Sequence, residues 1–142
     1  MRTLGIDWGE ARIGLATSDF TGIIASPHSA LEEKDKGAQV NRVVALIAEL
    51  EIQRIVVGMP YELDGTEGPM AQMASRYADI LEEKTKLPLI RWDERLSSAA
   101  AERAIREMGG GRKRKGKRDK GQVDAIAACL LLQSFLDSPQ SG

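Results

Sequence analysis

Thr3 to Trp8 alternates along the chain, with Leu4 and Ile6 on one side and Gly5 and Asp7 on the other, the pattern of a half-buried strand. Trp8-Gly9-Glu10-Ala11 supplies a turn before a second strand from Arg12 to Ser18. Another turn at Asp19 to Gly22 leads into a third from Ile23 to Ser26, so the chain opens as a three-stranded antiparallel meander. The period then lengthens. Val40, Val43, Val44, Ile47 and Leu50 recur at helical spacing, which predicts a helix over Ala38 to Glu51. Arg54 to Met59 is a short β-branched run, as a buried parallel strand would be, and Met70, Met73, Ala74, Tyr77, Ile80 and Leu81 form one face of a second helix. After Pro88, Leu89 to Trp92 reads as a strand that runs into Asp93-Glu94-Arg95. Ser97 or Ser98 then caps a helix to about Met108, and Gln122 to Leu136 forms the last helix. The order βββαβαβαα implies an α/β fold, a mixed sheet of about five strands with helices on its faces.

With 142 residues, of which 42% are apolar, the chain has the length and composition of one domain spanning 1–142. No apolar stretch approaches the roughly 18 residues needed to cross a bilayer. The opening MRTLGIDWG puts Asp7 where a signal peptide would be apolar, so a soluble cytoplasmic protein is expected. One cysteine, Cys129, and one histidine, His28, exclude an internal disulfide and a Cys/His zinc site. Any metal must therefore be held by carboxylates. Cys129 reads as a small core residue and His28 as a strand-end residue. No GxGxxG follows a strand, and there is no GK[ST] for a phosphate-binding loop.

The formal net charge of -1 hides an uneven distribution. From Gly109 to Gly121 the sequence GGGRKRKGKRDKG holds seven basic residues, including Arg112, Lys113, Arg114, Lys115 and Lys120, against one acid; the remainder has 13 basic and 20 acidic residues. Five glycines and dense like charge predict a mobile basic loop over 109–121, suited to neutralising several phosphates without sequence preference. The segment 138–142 is expected to fray.

Three acidic positions stand where core patterning does not ask for them: Asp7 at the end of the first strand, Asp93 and Glu94 at the end of the last, and Asp124 in the first turns of the last helix. If the first and fourth strands are neighbours, these ends can converge into an oxygen-rich site for Mg²⁺ or Mn²⁺, which take carboxylates, water and substrate phosphate oxygens. Each acid also has a plain structural reading: Asp7 as a turn-former, Asp93 or Glu94 paired with Arg91 or Arg95, and Asp124 stabilised by a helix dipole.

The segments GIDWGEARIGLATSD, VVGMPYELDGTEGP, WDERLSSAAAERAI and KGQVDAIAACLLLQSFL together resemble the YqgF family, also called RuvX, over nearly the whole chain. The resemblance implies a ribonuclease H-like fold akin to the RuvC resolvase. It also implies Mg²⁺-dependent cleavage of structured nucleic acid, either in 5′-end processing of precursor 16S rRNA or in Holliday junction resolution. It places metal ligands at Asp7 and Asp124 and one acid of the Asp93-Glu94 pair, with Glu94 favoured. The neighbour is then expected to pair with an arginine or cap the following helix. Arg12, Arg95 and Lys120 become phosphate contacts or partners of the ligands. Ser97-Ser98 stands where the family more often has threonines. A duplicated actin-like kinase is excluded by length, a non-catalytic RNA-binding or ribosome-assembly factor is the alternative, and symmetric junction cutting would need a dimer.

Overall fold

The computed structural model describes residues 1–97 and 117–139. Its centre is a five-stranded mixed sheet of β1 (Thr3–Asp7), β2 (Arg12–Ser18), β3 (Ala25–Glu32), β4 (Arg54–Met59) and β5 (Leu89–Asp93) in the order β3-β2-β1-β4-β5. β1 runs antiparallel to β2 and parallel to β4, so the first and fourth strands are neighbours, and β4 runs parallel to β5. β1 is buried on both faces, which follows from its place in the middle of the sheet.

The bounds of β2 and β4 agree with the alternation and the β-branched run that predict them. The third strand does not: it begins at Ala25 rather than Ile23 and continues to Glu32. Half of its residues are exposed because it is an edge strand, where apolar alternation is not required and proline is tolerated. The pairing with β2 shifts register at Leu15/Ala16, opposite Pro27 to Ser29. His28 therefore lies within β3 and not at a strand end; it is exposed, with Nδ1 2.9 Å from the Ser29 hydroxyl.

Two crossover helices cover one face. α1 (Lys36–Glu49) starts two residues before its apolar periodicity because the Asp35 carboxylate accepts from the Gly37 and Ala38 amides. α2 (Pro69–Thr85) opens with proline in its first turn and closes on Lys86 in the left-handed conformation. Their apolar stripes pack on Leu4, Ile6, Ile13, Leu15, Ile55, Val57 and Met59. The other face is covered by α3 (Lys117–Leu136), whose Ala128, Leu131, Leu132 and Phe135 meet Ala16, Val56 and Trp92. Trp92 stands edge-on to Phe135 at 5.4 Å and donates to the Ser134 hydroxyl. Cys129 is partly buried against this cluster.

α3 begins at Lys117, five residues before its predicted start, so Lys117 to Gly121 belongs to the helix and not to a loop. Ser138 donates its amide and hydroxyl to the Phe135 carbonyl. The predicted helix to Met108 and the rest of the 109–121 segment lie outside the described residues, as do 140–142. Among the described residues no helix is long and apolar enough to cross a membrane.

Candidate active site

Asp7 ends β1, and its face is set by the residues before it. A Cβ built on Gly5 would lie 2.8 Å from Leu132 of α3, so Gly5 and, two residues on, Asp7 face that helix. Directly across the β1–β2 ladder Asp7 pairs with Gly14. A Cβ there would stand 2.0 Å from the Asp124 carbonyl and 3.2 Å from the Asp124 Cβ, so only glycine lets α3 cross β2 at this point and bring Asp124 over the end of β1. On the other side Ile6 pairs with Val57, and the next residue of β4 is Gly58. A Cβ on Gly58 would lie 3.2 Å from Glu94 Cγ and 2.8 Å from Leu131. Two glycines thus flank Asp7, with Asp124 leaning over one and Glu94 over the other. The three acids are 3%, 4% and 2% exposed, in the order Asp7, Asp124, Glu94.

Adjacent residues at the end of β5 part company. Trp92 packs under α3, Asp93 turns to the opposite side, and Glu94 returns as the first residue of a single 3-10 turn, Glu94–Leu96. The Asp93 carboxylate accepts from the Arg95 amide at 2.9 Å and from the Arg95 guanidinium at 2.6 to 3.1 Å. It thereby caps the turn and is held below the ordinary carboxylate pKa, chiefly by the side-chain bond to Arg95. Asp93 is thus engaged by Arg95 and caps the following turn.

Asp124 is the eighth residue of α3 and lies beyond the first turn, so the helix dipole does not account for it. Arg12 does contact it, with Nε 2.5 Å from Oδ2. A carboxylate with so little solvent needs such a partner, and the pair places the Arg12 charge at the rim of the site. Arg95 is placed differently: besides Asp93 it donates to the Leu63 carbonyl at 3.1 Å and packs over Tyr61, tying the loop after β4 to the end of β5. Nothing in the sequence pattern signals this tether. Lys120 falls within α3, and Arg112, Lys113, Arg114 and Lys115 lie outside the described residues.

Among the described residues no three Asp, Glu, His or Cys side chains form a ready-made metal cage. The donor chemistry still selects a class of ion. Three carboxylates from separate elements, with no nitrogen or sulfur donor beside them, suit a hard divalent cation that keeps positions for water and phosphate oxygens.

The sequence profile of the RuvX family, described as Holliday junction resolvase, matches residues 1–138. A protein of Syntrophomonas wolfei, provisionally named a pre-16S rRNA nuclease, is 41% identical over 142 residues, covering 100% of this chain and 98% of its own. A Listeria monocytogenes protein of the same name is 38% identical over 140 residues, 97% of this chain and 99% of its own. Among solved structures, Thermus thermophilus RuvC in complex with a Holliday junction superposes with a TM-score of 0.59 at 15% identity, covering 96% of this chain and 94% of that one. The fowlpox virus Holliday junction resolvase gives 0.55 at 14%, covering 96% and 99%. The mixed sheet with helices on both faces is thus the ribonuclease H-like fold of these resolvases.

Proposed function

The chain belongs to the RuvX family of phosphodiester-cleaving enzymes, and on that premise we propose that it is an endonuclease for structured nucleic acid in which Asp7, Glu94 and Asp124 hold Mg²⁺ or Mn²⁺. The observation that carries this reading is the placement of three buried acids from three elements around the end of β1, with Asp124 packed on Gly14 and Glu94 on Gly58. When bound, the ions supply an activated water and neutralise charge on the leaving oxygen.

The chain's own residues do the remaining work. Arg12 orients the Asp124 carboxylate and presents positive charge where a scissile phosphate would approach. Asp93, occupied by Arg95, positions the turn that carries Glu94 and is not a ligand in this reading. The Arg112 to Lys115 segment supplies a backbone clamp whose charge offsets the acidic remainder of the chain. Precursor 16S rRNA and a four-way DNA junction are the two substrates this reading admits, and symmetric cutting of the latter calls for two copies of the site.

Cleavage of an end-labelled four-way junction and an end-labelled precursor 16S rRNA 5′ region, side by side with Mg²⁺, Mn²⁺ or EDTA, tests the proposal. Cutting of at least one substrate that EDTA abolishes is expected. Binding without cutting in either metal would make the protein a non-catalytic RNA-binding or assembly factor.

A further inference from the structure

A cleft of about 440 Å³ opens between α1 and α2, on the face of the sheet opposite α3. Its interior is aromatic. Trp8, the residue after Asp7, and Tyr77 of α2 lie 6.4 Å apart between ring centroids with planes tilted by 44°. Its lining includes the cations Lys36, Arg76 and Lys84 and, among the described residues, no Asp or Glu. Lys36 holds its ammonium 5.8 Å from the centroid of Trp8, and Asp35, just before it, has its carboxylate engaged on the α1 amides.

Tyr77 is the unusual member. It is 6% exposed, and among the described residues its hydroxyl is the buried side-chain polar atom left without a hydrogen-bond partner. Phenylalanine would fill the same space without that cost, so a buried phenol here is best explained by a partner that arrives from outside. Burial also raises its pKa, which keeps the hydroxyl protonated and able to donate.

We propose that this cleft is a second ligand site and that it binds a nucleotide. The base lies against Trp8 and Tyr77 and accepts from the Tyr77 hydroxyl, and the phosphate is met by Lys36, Arg76 and Lys84. The size suits a ligand of that class. Two sources share this chemistry: a free nucleoside monophosphate, or an unpaired nucleotide of a strand held by the protein. The second rests on the nuclease reading and the first does not.

Calorimetric titration of the full chain in EDTA separates this cleft from any metal-dependent binding at the carboxylates. The probes are the four nucleoside 5′-monophosphates, a short single-stranded oligonucleotide, an uncharged nucleoside and inorganic phosphate. Saturable binding of a monophosphate or of the oligonucleotide is expected, tighter than that of the nucleoside or of phosphate alone. Tyr77→Phe, which removes only the unpartnered hydroxyl, should weaken it about tenfold, and Arg76→Ala, at an exposed position, should weaken it as well. A monophosphate that binds identifies a free nucleotide as sufficient; binding of the oligonucleotide alone, still sensitive to Tyr77→Phe, identifies an unpaired nucleotide. Asp124→Asn should leave this binding intact whatever it does to cleavage. Absence of binding by every probe, or binding indifferent to both cleft variants, overturns the proposal.

Discussion

The strands show α1 and α2 a different set of side chains from the set they show α3. Toward α1 and α2 they present Leu4, Ile6, Ile13, Leu15, Ile55, Val57 and Met59, all fully buried. Toward α3 the same strands present Gly5, Asp7, Gly14, Ala16 and Gly58. The first face supplies the apolar burial that holds the sheet together, at roughly 1.5–3 kcal/mol for each large side chain. The second has given up that burial at several positions, and what it gains is proximity: the backbone of α3 comes close enough to β2 for Asp124 to reach the end of β1. On the proposed function, the acids and the bulk of the apolar side chains contributed by the strands lie on opposite sides of one sheet, and substitutions on the two sides should differ in kind.

The largest expected difference is between neighbouring residues of β2. Gly14→Ala drives a methyl into the Asp124 carbonyl and should cost about 3 kcal/mol, the upper end for overpacking, and abolish cleavage even where the chain still folds. Ile13→Val, on the other face, should cost about 1 kcal/mol and leave cleavage unchanged at temperatures where both variants are folded. Urea denaturation beside a cleavage assay checks both, and equal activity losses at the two positions would erase the distinction.

A smaller effect is expected at the rim. Arg12→Gln removes the partner of Asp124 without removing a carboxylate, and cleavage should fall about 10–100-fold, as it does when a group orienting a metal ligand is lost. Raising the metal concentration should restore part of it. If Arg12 instead acts only on substrate, the loss should appear in KM and be indifferent to metal.

How much of this was legible in the sequence depends on which side of the sheet a residue serves. The face toward α1 and α2 is built from alternating large apolar residues, so β2 and β4 could be bounded to the residue. The edge strand β3 could not, because its exposed Pro27-His28 stretch carries no apolar alternation. The start of α3 was hidden by Gly121 and the surrounding charge: local propensity argues for coil, whereas the helix, with Gly121 beside Ala30 and Asp124 on Gly14, includes Lys117 to Gly121. The acids at the strand ends were visible as residues out of pattern, but the sequence left Asp93 and Glu94 as alternatives. What separates them is the 3-10 turn after β5, in which Asp93 faces Arg95 and Glu94 faces Gly58. The orphan hydroxyl of Tyr77 was invisible, since in sequence it is one more apolar position on a helix face.

Two weaker effects sharpen the contrast further. Replacing Arg112, Lys113, Arg114 and Lys115 together by alanine should weaken binding of all sequences alike and flatten the plot of log affinity against log salt by up to about 3–4 units. An unchanged slope would return phosphate binding to Arg12. The smallest effect belongs to Asp93. Arg95 lowers its pKa in the folded chain, so the contribution of the pair is complete above the unfolded value of about 4 and is lost as pH falls through the lower folded value. Asp93→Asn should therefore lower the melting temperature slightly at neutral pH. The gap from wild type should close as the pH is taken well below about 4, where both carry a neutral side chain. A gap that persists in acid would show that the cap, and not the charge, is what matters.

The assignment of Asp7, Glu94 and Asp124 as the metal-holding acids is tested most directly by their isosteric amides. Asp7→Asn, Glu94→Gln, Asp124→Asn and the control Asp93→Asn are compared in single-turnover cleavage at saturating Mg²⁺, with substrate binding measured in parallel. The three site variants should bind substrate as well as wild type or better, because negative charge facing phosphate has been removed, and should lose turnover by orders of magnitude, while Asp93→Asn keeps most of it. Wild-type cleavage by Asp7→Asn and Asp124→Asn, or a dead Asp93→Asn beside an active Glu94→Gln, would contradict it.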